Sequence, residues 1–108
     1  MARRAAAAKI IYVYTLKQAI ADGELIDITD RAGESLISCQ VVCTKTVLEK
    51  YSHVLRDMLW TVGMNLESRP GHQFGFQLYD EHPEMFVADY GANDEGEPLV
   101  TIMLEGES

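Results

Sequence analysis

What this chain has little of narrows the field first. Among its 108 residues are two cysteines, three prolines and one tryptophan. Cys39 and Cys43 stand four apart, where a disulfide would need an unusual backbone, and no second pair completes a zinc site. Free thiols, buried as small hydrophobes, are the expectation. No apolar run approaches the roughly 18 residues a membrane span needs. The opening Met-Ala-Arg-Arg-Ala-Ala-Ala-Ala resembles a signal peptide only until Lys9 and Lys17 interrupt it, with no small-residue cleavage site behind. Residues 1–9 are expected to be a flexible tail, residues 10–107 a single domain, and the protein cytoplasmic, with no membrane partner.

Positive charge is the most telling scarcity. Nine Lys and Arg face seventeen Asp and Glu, for a net charge of −8. No basic residue follows Arg69, whereas Asp80, Glu81, Glu84, Asp89, Asp94, Glu95, Glu97, Glu105 and Glu107 all do. Phosphate contacts need Lys and Arg, so this balance argues against nucleic acid as a direct partner. A C-terminal third of one sign serves either solubility or docking on a basic partner.

Constellations for chemistry are also thin. His53, His72 and His82 belong to residue types that bind zinc, but no two have a ligand spacing such as His-x3-His. A Cys43–His53 nucleophile pair would have to come from stretches patterned for packing. Gly71-His72-Gln73-Phe74-Gly75 lacks the Lys-Ser/Thr and the helix start of a phosphate loop. Asp22-Gly23 with Asp27, and Asp94-Glu95-Gly96-Glu97, lack the acidic alternation of a calcium loop and read as a helix cap and a hairpin turn. No catalytic residue, metal or cofactor is expected.

What is present is a strong architectural signal. Val47, Leu48, Tyr51, Val54, Leu55, Met58, Leu59 and Val62 fall on one stripe of a helix from Thr44 to Leu66. Thr44 is its N-cap, and Arg69-Pro70-Gly71 its stop. Before it, Ile10–Tyr14 reads as a strand. Thr15 caps a short helix, Leu16 to Asp22, closed by Gly23. Glu24–Thr29 reads as a brief extended piece or turn, Asp30–Ser35 as a loop, and Leu36–Val42 as a strand. After the helix the period changes to two, with Phe74, Phe76 and Leu78 on one face. Met85–Tyr90 and Leu99–Leu104 are further strands, joined through turns at Asp80–Pro83 and Gly91–Glu97. The expected fold is α+β: an antiparallel meander covered on one face by one long helix, with an N-terminal strand and short helix. Trp60 lies beside the apolar stripe, at the core edge or as an exposed anchor for a partner.

Two stretches resemble a known family. One is Tyr12-Val13-Tyr14-Thr15-Leu16-Lys17-Gln18-Ala19-Ile20-Ala21-Asp22-Gly23-Glu24-Leu25-Ile26-Asp27-Ile28-Thr29, and the other is Asn93-Asp94-Glu95-Gly96-Glu97-Pro98-Leu99-Val100-Thr101-Ile102-Met103-Leu104. Together with Leu59-Trp60 in the central helix, they resemble a family of small acidic proteins of phages, plasmids and other mobile elements, a domain of unknown function. The resemblance spans residues 10 to 107. The chain departs from the pattern in a shorter loop after Leu66 and in lacking basic residues near its last strands. The resemblance implies no catalytic or ligand residue. It implies a setting, among mobile-element genes that often neighbour antirestriction genes, and hence an inhibitor of a host defence system of the anti-CRISPR or antirestriction type. Such an inhibitor would bind a host protein complex with a basic surface through Asp80, Glu81, Glu84, Asp89, Asp94, Glu95 and Glu97, with Trp60 as anchor. The alternative is a small homodimeric structural or regulatory module.

Overall fold

The computed structural model describes residues 15–33, 36–66, 70–78 and 84–107. The expected tail, the strand Ile10–Tyr14 and the turn holding Asp80, Glu81 and His82 lie outside these residues.

The first described element is helix α1, Leu16–Ala21. Thr15 caps its start as expected, and Gln18 completes a reciprocal box. Thr15 Oγ1 accepts from the Gln18 backbone N–H (3.1 Å), and Gln18 Oε1 accepts from the Thr15 N–H (3.3 Å). Gly23 follows with φ +78, the left-handed conformation that a helix terminus of this kind requires. The chain then forms strand β1, Leu25–Asp27, within the stretch that reads as a brief extended piece or turn, and a single helical turn α2, Thr29–Ala32, where the sequence reads as a loop from Asp30. Asp27 makes this possible: its Oδ1 accepts from both the Thr29 backbone N–H (2.9 Å) and hydroxyl (2.5 Å).

Strand β2, Gln40–Thr44, begins four residues later than the apolar character that announced it. Ile37 is buried, but from a loop against Gly63. Thr44 ends the strand and caps the helix after it, accepting from the Val47 N–H (3.4 Å). The long helix spans Lys45–Asn65 as α3 (Lys45–Tyr51) and α4 (Leu55–Asn65), joined by a 3₁₀ turn at Ser52–Val54. Val47, Leu55, Met58, Leu59 and Val62 are buried, as the stripe requires.

Strands β3 (His72–Phe76), β4 (Phe86–Ala92) and β5 (Pro98–Leu104) form the expected antiparallel meander. The full sheet is larger and mixed, in the order β1-β2-β5-β4-β3. β2 pairs antiparallel with β1 but parallel with β5, which places β5 at the centre. The helical stretch and the β3–β4 hairpin separate β2 from β5, a connection long enough to return the chain in the same direction. A central strand is covered on both faces, which is why Leu99–Leu104 reads as an almost unbroken apolar run.

Alternation divides the sheet into two faces. Val41, Cys43, Phe86, Ala88, Val100 and Ile102 meet α3 and α4 in the main core. Phe76 and Phe86 stack with centroids 5.3 Å apart, and Tyr51 meets Phe86 edge-on at 5.0 Å. Full burial of such a side chain contributes about 1.5–3 kcal/mol. On the other face α1 places Ala19, with Leu16 and Ile20, over Leu25, Val42 and Leu99.

Candidate partner-binding surface

The acids singled out by sequence are distributed by the strand pairing, not by their order in the chain. Glu84 precedes β4, whereas Asp94, Glu95 and Glu97 follow it in the turn to β5. The seven residues of β4 set these two ends roughly 24 Å apart at about 3.4 Å per residue. That exceeds the Debye length of about 8 Å at physiological salt, so the two ends cannot act as one electrostatic patch.

Glu84 also has a structural task. It is half-buried and accepts the hydroxyl proton of Tyr51. This hydrogen bond is the largest cause holding the Tyr51 hydroxyl above the usual phenol range, with burial and the charge of Glu84 adding to it. The pair ties the last residue of α3 to the start of β4.

At the other end, the turn is built to be rigid. Asn93 Oδ1 accepts from the backbone N–H groups of Glu95 (3.0 Å) and Glu97 (2.9 Å). The Asn93 N–H donates to the Glu97 carbonyl (2.8 Å), and Gly96 supplies φ +80 where the chain reverses. Asn93 Nδ2 donates to Gln40 Oε1 (3.0 Å), and Gln40 Nε2 donates in turn to Asp27 Oδ2 (2.9 Å). One chain of side chains thus fastens the turn to β2 and β1.

Asp94 belongs to this fastening. Its Oδ1 accepts from the Leu16 N–H (2.9 Å) and its Oδ2 from the Lys17 N–H (3.2 Å), at the exposed start of α1. A carboxylate there satisfies two otherwise unpaired donors and meets the positive end of the helix dipole. Glu95 and Glu97 are exposed and make no ion pair with any described residue.

Asp89 pairs across the strands with Gln73, whose Nε2 donates to it (3.3 Å), on the sheet face that α1 partly covers. Asp89 and Asp94 both border a groove of about 640 Å³ on that face, with Leu16, Gln73, Asn93 and Thr101. Trp60 is 40 % exposed, on α4 and therefore in the layer on the opposite face from α1. The structure thus brings Asp94, Glu95 and Glu97 to one end of the sheet, sets Asp89 at the middle of β4 beside the groove that Asp94 also borders, and leaves Glu84 and Trp60 elsewhere. Asp80 and Glu81 lie outside the described residues.

Sequence reasoning missed Asp27 as a neighbour of this acidic end. The Asp27-x-Thr29 spacing of a local side-chain turn was its available signal. Burial works to raise the Asp27 carboxyl, but the hydrogen bonds from the Thr29 side chain, the Thr29 backbone and Gln40 together bring it below its ordinary value.

The cysteines are free, Cys43 buried and Cys39 half-buried. Burial is the main reason the Cys43 thiol is pushed up to about 11; Arg31 opposes that shift and Glu107 adds to it. A thiol of that kind is a packing group and a poor nucleophile. Among the described residues, no three His, Cys, Asp or Glu side chains gather as a metal site would require. No described helix is long and apolar enough to cross a membrane. Comparison of the chain with protein-family models, with curated proteins and with solved structures gives no match.

Proposed function

We propose that this protein is a non-enzymatic inhibitor carried by a mobile element, acting in the cytoplasm of a bacterial host. It docks the acidic end of its sheet on a basic, nucleic-acid-binding groove of a host defence complex. The observation that carries this reading is the β4–β5 turn, which displays Glu95 and Glu97, exposed and without an ion pair to any described residue, on a backbone held by Asn93. Asp27, the last residue of β1, adds charge beside the turn, and Asp89 adds it from the middle of β4. Carboxylates on a rigid support can stand in for spaced phosphates, because little conformational freedom is lost when the partner binds. Such docking is fast and weakens as salt rises. The resemblance to small acidic proteins of phages and plasmids supports the same setting.

The test is capture from a bacterial host lysate with the tagged protein at graded salt. The reading expects a nucleic-acid-binding complex that is lost at high salt and displaced by added DNA. Recovery of the protein alone, at twice its 12.1 kDa mass, would replace it with a homodimeric module.

A further inference from the structure

A second surface lies on the helix layer and owes nothing to the acidic turn. Leu36, Trp60 and Met64 are the exposed large hydrophobic side chains among the described residues, at 53 %, 40 % and 73 %. Single exposed apolar residues are ordinary on any surface. These three share one side of α4. Trp60 and Met64 are four apart, so a helix turns only about 40° between them. Leu36 is placed beside them through Gly63, where an added Cβ would fall 2.8 Å from Leu36 Cβ.

Next to this patch, a cleft of about 370 Å³ opens between α2 and α4, lined by Asp30, Arg31, Leu55, Arg56, Leu59 and Trp60, with Ser52 at its edge. Leu55 and Leu59 are buried and make an apolar floor. Arg31 and Arg56 are exposed and form no ion pair with any described residue, so the lining of the cleft carries two guanidiniums and the one carboxylate of Asp30. On a chain of net charge −8, the lining of this cleft carries a net formal charge of +1 from Arg31, Arg56 and Asp30. Tryptophan and arginine beside a desolvated apolar floor are also the residue types that dominate binding energy in protein interfaces.

We propose that this cleft binds a segment of a partner polypeptide presenting a carboxylate beside a bulky apolar side chain. The apolar group occupies the Leu55–Leu59 floor against the Trp60 indole, and the carboxylate takes paired N–H donors from Arg31 and Arg56. The rest of the segment runs over Met64 and Leu36. That extension beyond the cleft is what favours a polypeptide over a small free acid.

Trp60 is the sole tryptophan of the chain, so its emission reports occupancy directly. The probe is the tryptophan-free peptide acetyl-Leu-Glu-Phe-Leu-Glu-Glu-amide, with the peptide carrying Lys at each Glu as control. The acidic peptide is expected to shift Trp60 emission to shorter wavelength and to saturate, while the basic one has no effect. The double variant Arg31→Ala/Arg56→Ala, with both changes on exposed side chains and its fold checked by circular dichroism, is expected to weaken binding at least ~10-fold. The variant Glu95→Lys/Glu97→Lys is expected to leave it unchanged, which separates this site from the acidic turn. An equal response to both peptides, no saturable response, or an unaltered Kd in the arginine variant would overturn the proposal. So would saturation by decanoate with the acidic peptide silent, which would assign the cleft to a small amphipathic acid.

Discussion

Asp94 stands among the acids of the β4–β5 turn, yet its carboxylate holds the backbone of Leu16 and Lys17, far away in sequence. Removing it strips α1 of two hydrogen bonds at its start. Asp94→Ala is therefore expected to lower unfolding free energy by about 1 kcal/mol, the usual cost of losing a helix cap, with Asp94→Asn recovering part of that loss. Glu95→Ala, one residue on and without an ion pair to any described residue, is expected to change it by less than about 0.5 kcal/mol. Urea unfolding of the three variants decides the matter, and equal losses at positions 94 and 95 would contradict the capping role. Asp27 gives a prediction in pH. Its folded carboxyl lies below the ordinary value of 3.8, so the unfolded chain takes up the proton first as pH falls. The stabilisation is complete above 3.8 and is lost as pH drops through the folded value. Asp27→Asn is expected to flatten the dependence of stability on pH in that acid window and leave the slope at neutral pH alone. At this scale, the sequence shows which residues are acidic but not which are engaged. The partners of Asp94 and Glu84 come from distant parts of the chain, and only the fold brings them near.

At the scale of elements, legibility followed how local the determinants are. Thr15, Gly23 and Thr44 are signals contained within one helical turn, and each cap forms as read, with Gln18 completing a box around Thr15 and the Val47 N–H donating to Thr44. The two-residue period of β3 and β4 and the apolar run of β5 likewise depend on neighbours in sequence. α2 has four residues, too short for any periodicity to register, and depends on the Asp27–Thr29 contacts, whereas β1 falls within the stretch Glu24–Thr29 that reads as a brief extended piece or turn. The 3₁₀ turn at Ser52–Val54 has no proline or glycine to announce it. Tyr51 leaves helical geometry (φ −126, ψ 18) while its ring meets Phe86 and its hydroxyl meets Glu84. Those tertiary contacts set where α3 ends. Gly63 is the corresponding case within α4. In an isolated helix Gly→Ala would stabilise by about 1 kcal/mol. Here the new methyl meets Leu36 Cβ at 2.8 Å and Leu36 Cα and Ile37 Cγ1 at 3.4 Å. Leu36 Cβ lies next to the backbone and cannot swing aside as a side-chain tip can. Gly63→Ala is therefore expected to destabilise by about 1–3 kcal/mol, read as a lowered thermal midpoint, despite the gain in helix propensity. A raised midpoint would mean that the segment around Leu36 yields easily.

For the whole molecule, the central matter is how charge is distributed. Composition gave the net charge of −8 and the absence of basic residues after Arg69, and both describe the chain faithfully. What composition cannot give is geometry. A strand converts sequence neighbours into opposite ends of the sheet, so Glu84 separates from Asp94, Glu95 and Glu97, while Asp27 joins them from the first third of the chain. Screening over about 8 Å then makes the turn end the acidic unit that a partner would meet. Sidedness follows as well. The acidic turn is fastened to α1 on one face of the sheet, whereas the Trp60 cleft lies on the helix layer of the other, so occupation of one leaves the other accessible. The most direct measurement is capture of the host complex by the protein and by its Glu95→Lys/Glu97→Lys variant, over a salt series and with competing DNA. The account predicts that the native protein retains a DNA-binding complex at low salt and releases it to salt and to DNA. The variant, whose fold should be intact because both side chains are exposed and form no ion pair with any described residue, should retain at least about 10-fold less. Equal retention by the two proteins, or retention indifferent to salt and DNA, would contradict it.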